Sequence, residues 1–208
     1  MMVSPMQKMS LRVRRLLNDR SGLAAVEFAM IFPMMVMMFF GVHEISAAIS
    51  VDRKATLVAR TLSDLTSQMV SVANADLISF GEAAKAIMTP YPGSPLISSI
   101  TEVYVDSVTG VARVQWSKGL TIGTTGVVSI AATAPHNPGD VVVLPTTLVA
   151  AKGTYVIWSK VSYTYTPAIG YVLAKTGMNF SDAAYTRPRT ALCVTYPTAG
   201  FSNCATPL

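Results

Sequence analysis

The chain has 208 residues, 51% of them hydrophobic and only 13% charged, enough for one modest globular domain plus an extension and more apolar than an ordinary soluble domain. Its formal net charge is +5, yet Lys8, Arg12, Arg14, Arg15 and Arg20, opposed only by Asp19, supply four of those charges ahead of the main apolar run. The rest of the chain is close to neutral, so a nucleic-acid partner is not expected.

The first element is residues 23–42, LAAVEFAMIFPMMVMMFFGV, which contains a single charged residue. Twenty residues rising about 1.5 Å each cross a hydrocarbon core of roughly 30 Å. The basic flank lies N-terminal to the run, and the positive-inside rule places it in the cytoplasm with the C-terminal region across the membrane. A removable secretory signal shares the basic-then-apolar order. Here, however, the run is longer than a usual signal core, contains Glu27 and Pro33, and is followed by Val42, His43 and Glu44 rather than a small-x-small cleavage site.

Glu27 is the informative residue, because a carboxylate in hydrocarbon costs about 2.5–3.5 kcal/mol on insertion scales. Such a group either snorkels to the interface or has a partner. Gly22 immediately precedes the run, Glu27 is the fifth residue after it, and Phe28 follows. The string from Arg20 to Pro33, RSGLAAVEFAMIFP, resembles the N-terminus of TadE-like proteins, the minor pseudopilins of the bacterial tight-adherence (Tad, Flp-type) pilus. More loosely it is similar to a type IV prepilin.

That resemblance implies cleavage by a membrane prepilin peptidase between Gly22 and Leu23, on the cytoplasmic side. It implies an assembly role for Glu27 and Phe28, and it matches Pro33 about ten residues into the mature helix. The implied partners are inner-membrane lipid, the peptidase, other pilin or pseudopilin subunits and the assembly platform. The motif spans about a tenth of the chain. Physically, glycine before the scissile bond lets extended backbone enter a protease cleft, and the basic leader is held at an anionic membrane face. Cleavage would create an α-amine on Leu23, protonated at neutral pH and able to pair with a Glu27 carboxylate. Pro33 removes the hydrogen bond to the Ala29 carbonyl and predicts a kink. Met34, Met35, Met37, Met38, Phe39 and Phe40 surround the helix as lipid-facing or packing surface, with no accompanying ligands for a cofactor.

Past Glu44, residues Ile45, Ile49, Ala55, Val58, Leu62, Leu65, Met69 and Val72 recur at helical steps, predicting an amphipathic helix to about Val72 and a shorter one over Asp76–Met88. It packs on its own domain or in an intersubunit coiled coil; its short apolar stripe favours the former. Pro90, Pro92, Gly93 and Pro95 break the pattern. Strands are then expected over 100–106, 111–116, 127–131, 141–144 and 155–165, with a hairpin at Thr109-Gly110 and turns over 119–126 and 135–140. The expected organisation is a leader (1–22), a transmembrane helix (23–42), an amphipathic helical region (43–89), a linker (90–98) and a mainly β domain (99–208). Together they make an α+β protein with a small, mainly antiparallel sheet.

Cys193 and Cys204 are the only cysteines. In an oxidising compartment they predict a disulfide closing a C-terminal loop, although sequence alone leaves two unpaired thiols open. A C-terminal disulfide loop also resembles the general pilin pattern. His43 and His136 lie far apart, and no CxxC, HExxH or phosphate-binding loop occurs. Glu102 and Asp106 are expected to face one way on a strand without a nucleophile beside them. Tyr163, Tyr165, Tyr171 and Tyr185 read as sheet packing or as a partner surface, and the Asn179-Phe180-Ser181 sequon is uninformative. The expected protein is not an enzyme, needs no cofactor or metal, and sits in the inner membrane with its C-terminal domain periplasmic. The competing expectation is an unprocessed membrane-anchored periplasmic binding or envelope protein. Met1, Met2, Met6 and Met9 all keep the basic flank as possible starts.

Overall fold

The computed structural model describes residues 21–167, 177–197 and 204. The chain divides into two compact units, Met1–Ser46 and Ala47–Leu208.

Helix α1 (Ser21–Ser67) is 47 residues long and continues through Pro33. Its composition explains the first part: Ala, Leu, Met and Phe lose little rotamer freedom in a helix, and Pro33 withholds only one donor. Within Met1–Ser46 the described apolar side chains, including Leu23, Phe28, Met30, Phe32 and Met38, are exposed apart from half-buried Val36. No interior packing accounts for them.

In the second unit α1 becomes a core helix. Val51, Ala55, Val58, Ala59 and Leu62 are buried, a spacing that sets them on one face, while Asp52, Arg53 and Arg60 stay exposed. The helix stops at Ser67 rather than near Val72. Residues beyond it are drawn into a different partnership: the Val72 amide donates to the Thr195 carbonyl (2.9 Å) and the Thr195 amide to the Val70 carbonyl (3.1 Å). Helix α2 (Asn74–Met88) starts with the Asp76 carboxylate accepting from the Ala73 amide at 2.8 Å, an acidic group where the helix dipole favours one. At its other end Lys54 Nζ donates to the carbonyls of Ile87 (2.7 Å) and Thr89 (2.8 Å).

The strands are β1 (Leu96–Val105), β2 (Ala112–Ile122), β3 (Val128–Ile130), β4 (Val141–Val142), β5 (Thr154–Tyr165) and β6 (Met178–Thr186); a short helix, α3 (Thr146–Val149), precedes β5. They form one antiparallel sheet in the order β3-β2-β1-β5-β6, with β4 also paired to β2. The fold is α+β, and the expected hairpin joins β1 to β2. β1 begins at Leu96, ahead of residue 99.

One sheet face carries Ile100, Trp116, Leu120, Ile157, Val161 and Tyr163 into a core with the α1 stripe and with Leu77, Phe80 and Met88 of α2. Ser159 Oγ on β5 donates to the Ala59 carbonyl of α1. Gly81 admits α2 to β3: a Cβ there would lie 2.3 Å from Val128 Cγ1. The opposite face holds a smaller cluster of Val103, Val105, Ala112, Val114 and Leu144, against which Trp158 and Tyr185 pack.

Three expectations are corrected. Gly119 lies inside β2, not in a turn; its missing side chain makes room for Ala131, whose Cβ a Cβ at 119 would meet at 3.0 Å. β6 was not anticipated. Glu102 and Asp106 do not sit together on one strand, because β1 ends at Val105 and Asp106 lies beyond it, where Oδ1 accepts from the Thr109 and Val108 amides, while Glu102 is buried. Those bonds hold the Asp106 carboxyl below the usual carboxylate range. Tyr163 and Tyr165 are buried, Tyr185 is half-buried, and Tyr171 lies outside the described residues.

Candidate functional site

Two places bring the unusual residues together, one in each unit. In Met1–Ser46, the Gly22–Leu23 bond sits in the first turn of α1. A methyl group on Gly22 would meet no atom within 4 Å, so packing in the chain itself does not require glycine there. Leu23 and Phe28 are each 61% exposed, and Glu27 is exposed beside them. Leu23 and Glu27 are four residues apart and therefore share a helix face. Phe28 touches Phe32, ring centres 5.4 Å apart. By length and composition α1 can cross a membrane, compatible with a single-pass anchor.

The second place was not foreseen. Glu102 projects from β1 into the main core and is fully buried. Its Oε2 accepts from Trp116 Nε1 at 2.9 Å and its Oε1 from the Val194 amide at 2.7 Å. Trp116 Nε1 also donates to the Val194 carbonyl at 2.8 Å. Trp116 stacks on Tyr196, ring centres 5.2 Å apart, and Lys118 Nζ lies over the Tyr196 ring. Cys193 and Cys204 form a disulfide, their Cα atoms 5.7 Å apart, and the Tyr155 hydroxyl donates to the Cys204 carbonyl at 2.8 Å.

Glu102 thus ties the C-terminal segment to the sheet. Burial pushes its carboxyl up to about 8, although the Val194 and Trp116 donors pull the other way. The same burial, together with the field of Glu102, pushes the Tyr155 hydroxyl up to about 12. A sequence signal existed: Glu102 falls in phase with Ile100 on the core-facing side of an alternating strand. The hydrogen bonds of this buried centre hold the C-terminal segment against the sheet. Among the described residues, no group of three or more His, Cys, Asp or Glu is placed to hold a metal ion.

One apolar helix of membrane-spanning length among the described residues, leading into a helix-on-sheet unit stapled at its C-terminus, defines the class: an α+β protein with a candidate single-pass anchor. Residues 22–63 match the family model described as TadE-like protein. No curated protein and no solved structure matches the chain. TadE-like proteins are associated with the Tad pilus, and the match places only this N-terminal segment beside them.

Proposed function

We propose that the protein is a minor pseudopilin of a Tad-type pilus, cut by prepilin peptidase between Gly22 and Leu23 and retained in the inner membrane, or passed to the pilus, through the helix that follows. The observation that carries this reading is the family match itself, which begins at Gly22, the residue before the proposed cut. Two features of the helix support it. Gly22 has no packing role among the described residues, and glycine in a helix costs about 1 kcal/mol relative to alanine, so unwinding the first turn into an extended substrate is made easier. The exposed surface of Leu23, Glu27, Phe28 and the methionines beyond is also suited to lipid and neighbouring helices.

After the cut, the Leu23 amine and a Glu27 carboxylate, from the same or an adjacent subunit, offset each other's burial and set the axial register of neighbouring helices. The basic residues ahead of Gly22 hold the leader on the cytoplasmic side, and the sheet unit with its disulfide lies in the periplasm. Mass spectrometry of membrane-extracted protein tests the reading. A mature N-terminus at Leu23 is expected when prepilin peptidase is active. Intact residues 1–22 in that strain would point to an unprocessed envelope protein. Glu27→Ala should insert normally and impair pilus assembly; unchanged assembly would remove the role given to Glu27.

A further inference from the structure

The two edges of the sheet differ in a way that the anchor does not explain. On the β2 side the edge is broken into two short strands, β3 and β4, with Pro135 and Pro138 between them. That is how natural sheets discourage further pairing. On the other side, β6 runs for nine residues without a lysine or a proline, and no strand pairs with its outer side among the described residues.

The register shows which backbone groups are open. The Val105 carbonyl accepts from the Gly153 amide and the Pro95 carbonyl from the Thr164 amide, so odd-numbered residues of β1 face β5 and even-numbered residues of β5 face β1. Odd-numbered residues of β5 then face β6, where they pair with Thr186, Ala184, Asp182 and Phe180. By the alternation of an antiparallel ladder, Asn179, Ser181, Ala183 and Tyr185 turn their amides and carbonyls outward. One of these outward donors is already engaged: the Ala183 amide donates to Oδ1 of Asp182 at 2.8 Å. A neighbouring side chain thus closes the centre of the edge.

Beside this edge lies an open groove of about 610 Å³ between β6 and the C-terminal part of α1, within the second unit. Arg60, Asp64, Asp182 and Arg189 supply its charges. Asp64 is committed, since Oδ1 pairs with Arg189 Nη2 at 2.7 Å and Oδ2 accepts from Gln68 Nε2 at 2.7 Å. Asp182 accepts from the neighbouring Ala183 amide. Arg60 is exposed and has no ion-pair partner among the described residues. A helix flanking an open edge strand is a geometry in which extended peptides bind, with backbone hydrogen bonds giving affinity and alternate side chains giving selectivity.

We propose that β6 is a docking edge for an extended, acidic segment of another polypeptide, which takes the outward amide of Ala183 in place of Asp182 and presents a carboxylate to Arg60. The acidic character follows from Arg60 being the groove cation without an ion pair among the described residues, and it requires Asp182 to turn away from Arg60 as it gives up the Ala183 amide. The inference stands on the second unit and does not depend on processing at Gly22.

The test uses the full chain in detergent micelles and a set of capped decapeptides in which β-branched and polar residues alternate, with Glu, Lys or Ser at the polar positions. Binding is read by fluorescence anisotropy, and amide hydrogen exchange reports on Ala183. The Glu set should bind more tightly than the Lys set and should slow exchange at Ala183. Ala183→Pro removes only an outward N–H, which an edge strand tolerates, and should weaken binding about tenfold or more. Arg60→Glu should reverse the preference toward the Lys set, with unchanged near-ultraviolet circular dichroism in both variants showing that the sheet is intact. The proposal is overturned if no peptide set binds, if Ala183→Pro binds as well as the wild type, or if the Lys set is preferred. It is equally overturned if the Ala183 amide is strongly protected in the free chain, which would assign the edge to the chain's own segment. A dimer abolished by Ala183→Pro would instead assign it to a second copy.

Discussion

Replacing Glu102 with Gln asks whether one buried carboxyl group makes the second unit sensitive to pH. In the fold the group is raised from 4.5 to about 8, whereas in the unfolded chain it titrates near its ordinary value. The native state therefore holds the proton more tightly than the unfolded state. Its contribution to stability is fully present below about pH 4.5, declines as pH rises, and is lost through about pH 8. Each unit of difference corresponds to about 1.36 kcal/mol, so the interval amounts to an upper bound of roughly 5 kcal/mol. Gln keeps one acceptor for Trp116 or Val194, turns an N–H toward the other donor, and does not titrate. At about pH 5 the variant should be the less stable protein by on the order of 1 kcal/mol, and at about pH 8 the more stable one. Urea unfolding of the full chain in detergent, followed by tryptophan fluorescence at several pH values, measures this. The difference between the two proteins isolates Glu102 because every other titrating group is common to both. Parallel stability profiles, or a wild type that gains on the variant as pH rises, would refute the reasoning.

Cys204→Ala opens the loop to Cys193 and should lower stability by about 2–3 kcal/mol on the chain-entropy estimate, read as a shift in the urea midpoint under non-reducing conditions. Gly81→Ala forces a methyl group against Val128; a loss of about 1–3 kcal/mol is expected, and adding Val128→Ala should recover part of it in a double-mutant cycle. Lys54→Met leaves the Ile87 and Thr89 carbonyls at the end of α2 without their donor, which should cost about 1–2 kcal/mol and speed amide exchange in the last turn of that helix.

The apolar helix and the strand-rich second half are visible in the sequence because both rest on periodicity and composition, which are local. The end of α1 is not, since Thr195, far along the chain, decides it by pairing with the segment after Ser67. β6 escaped notice for a related reason: MNFSDAAYT has little apolar alternation, as expected of an edge strand bonded on one side and only half covered. Gly119 misleads because glycine marks turns more often than it marks a close approach inside a strand. Glu102 reads as a surface carboxylate until the core-facing phase of β1 and the donors from Trp116 and Val194 are known. The candidate processing residues are the reverse case, legible almost wholly from their order along the chain.

The docking of the C-terminal segment also dictates when the protein can finish folding. Ser159 reaches Ala59 across a separation of 100 residues, and Thr186 reaches Ser63 across 123. Glu102 meets Val194 across 92. The buried stripe of α1 is thus among the first parts of the second unit to be synthesised and among the last to be covered. Until β5 and the Cys193 segment have left the ribosome, Val51, Val58 and Leu62 lack part of the core they rest on. Such distant partnerships fold slowly. For much of its biogenesis part of that apolar stripe is therefore uncovered, the condition in which wrong associations form.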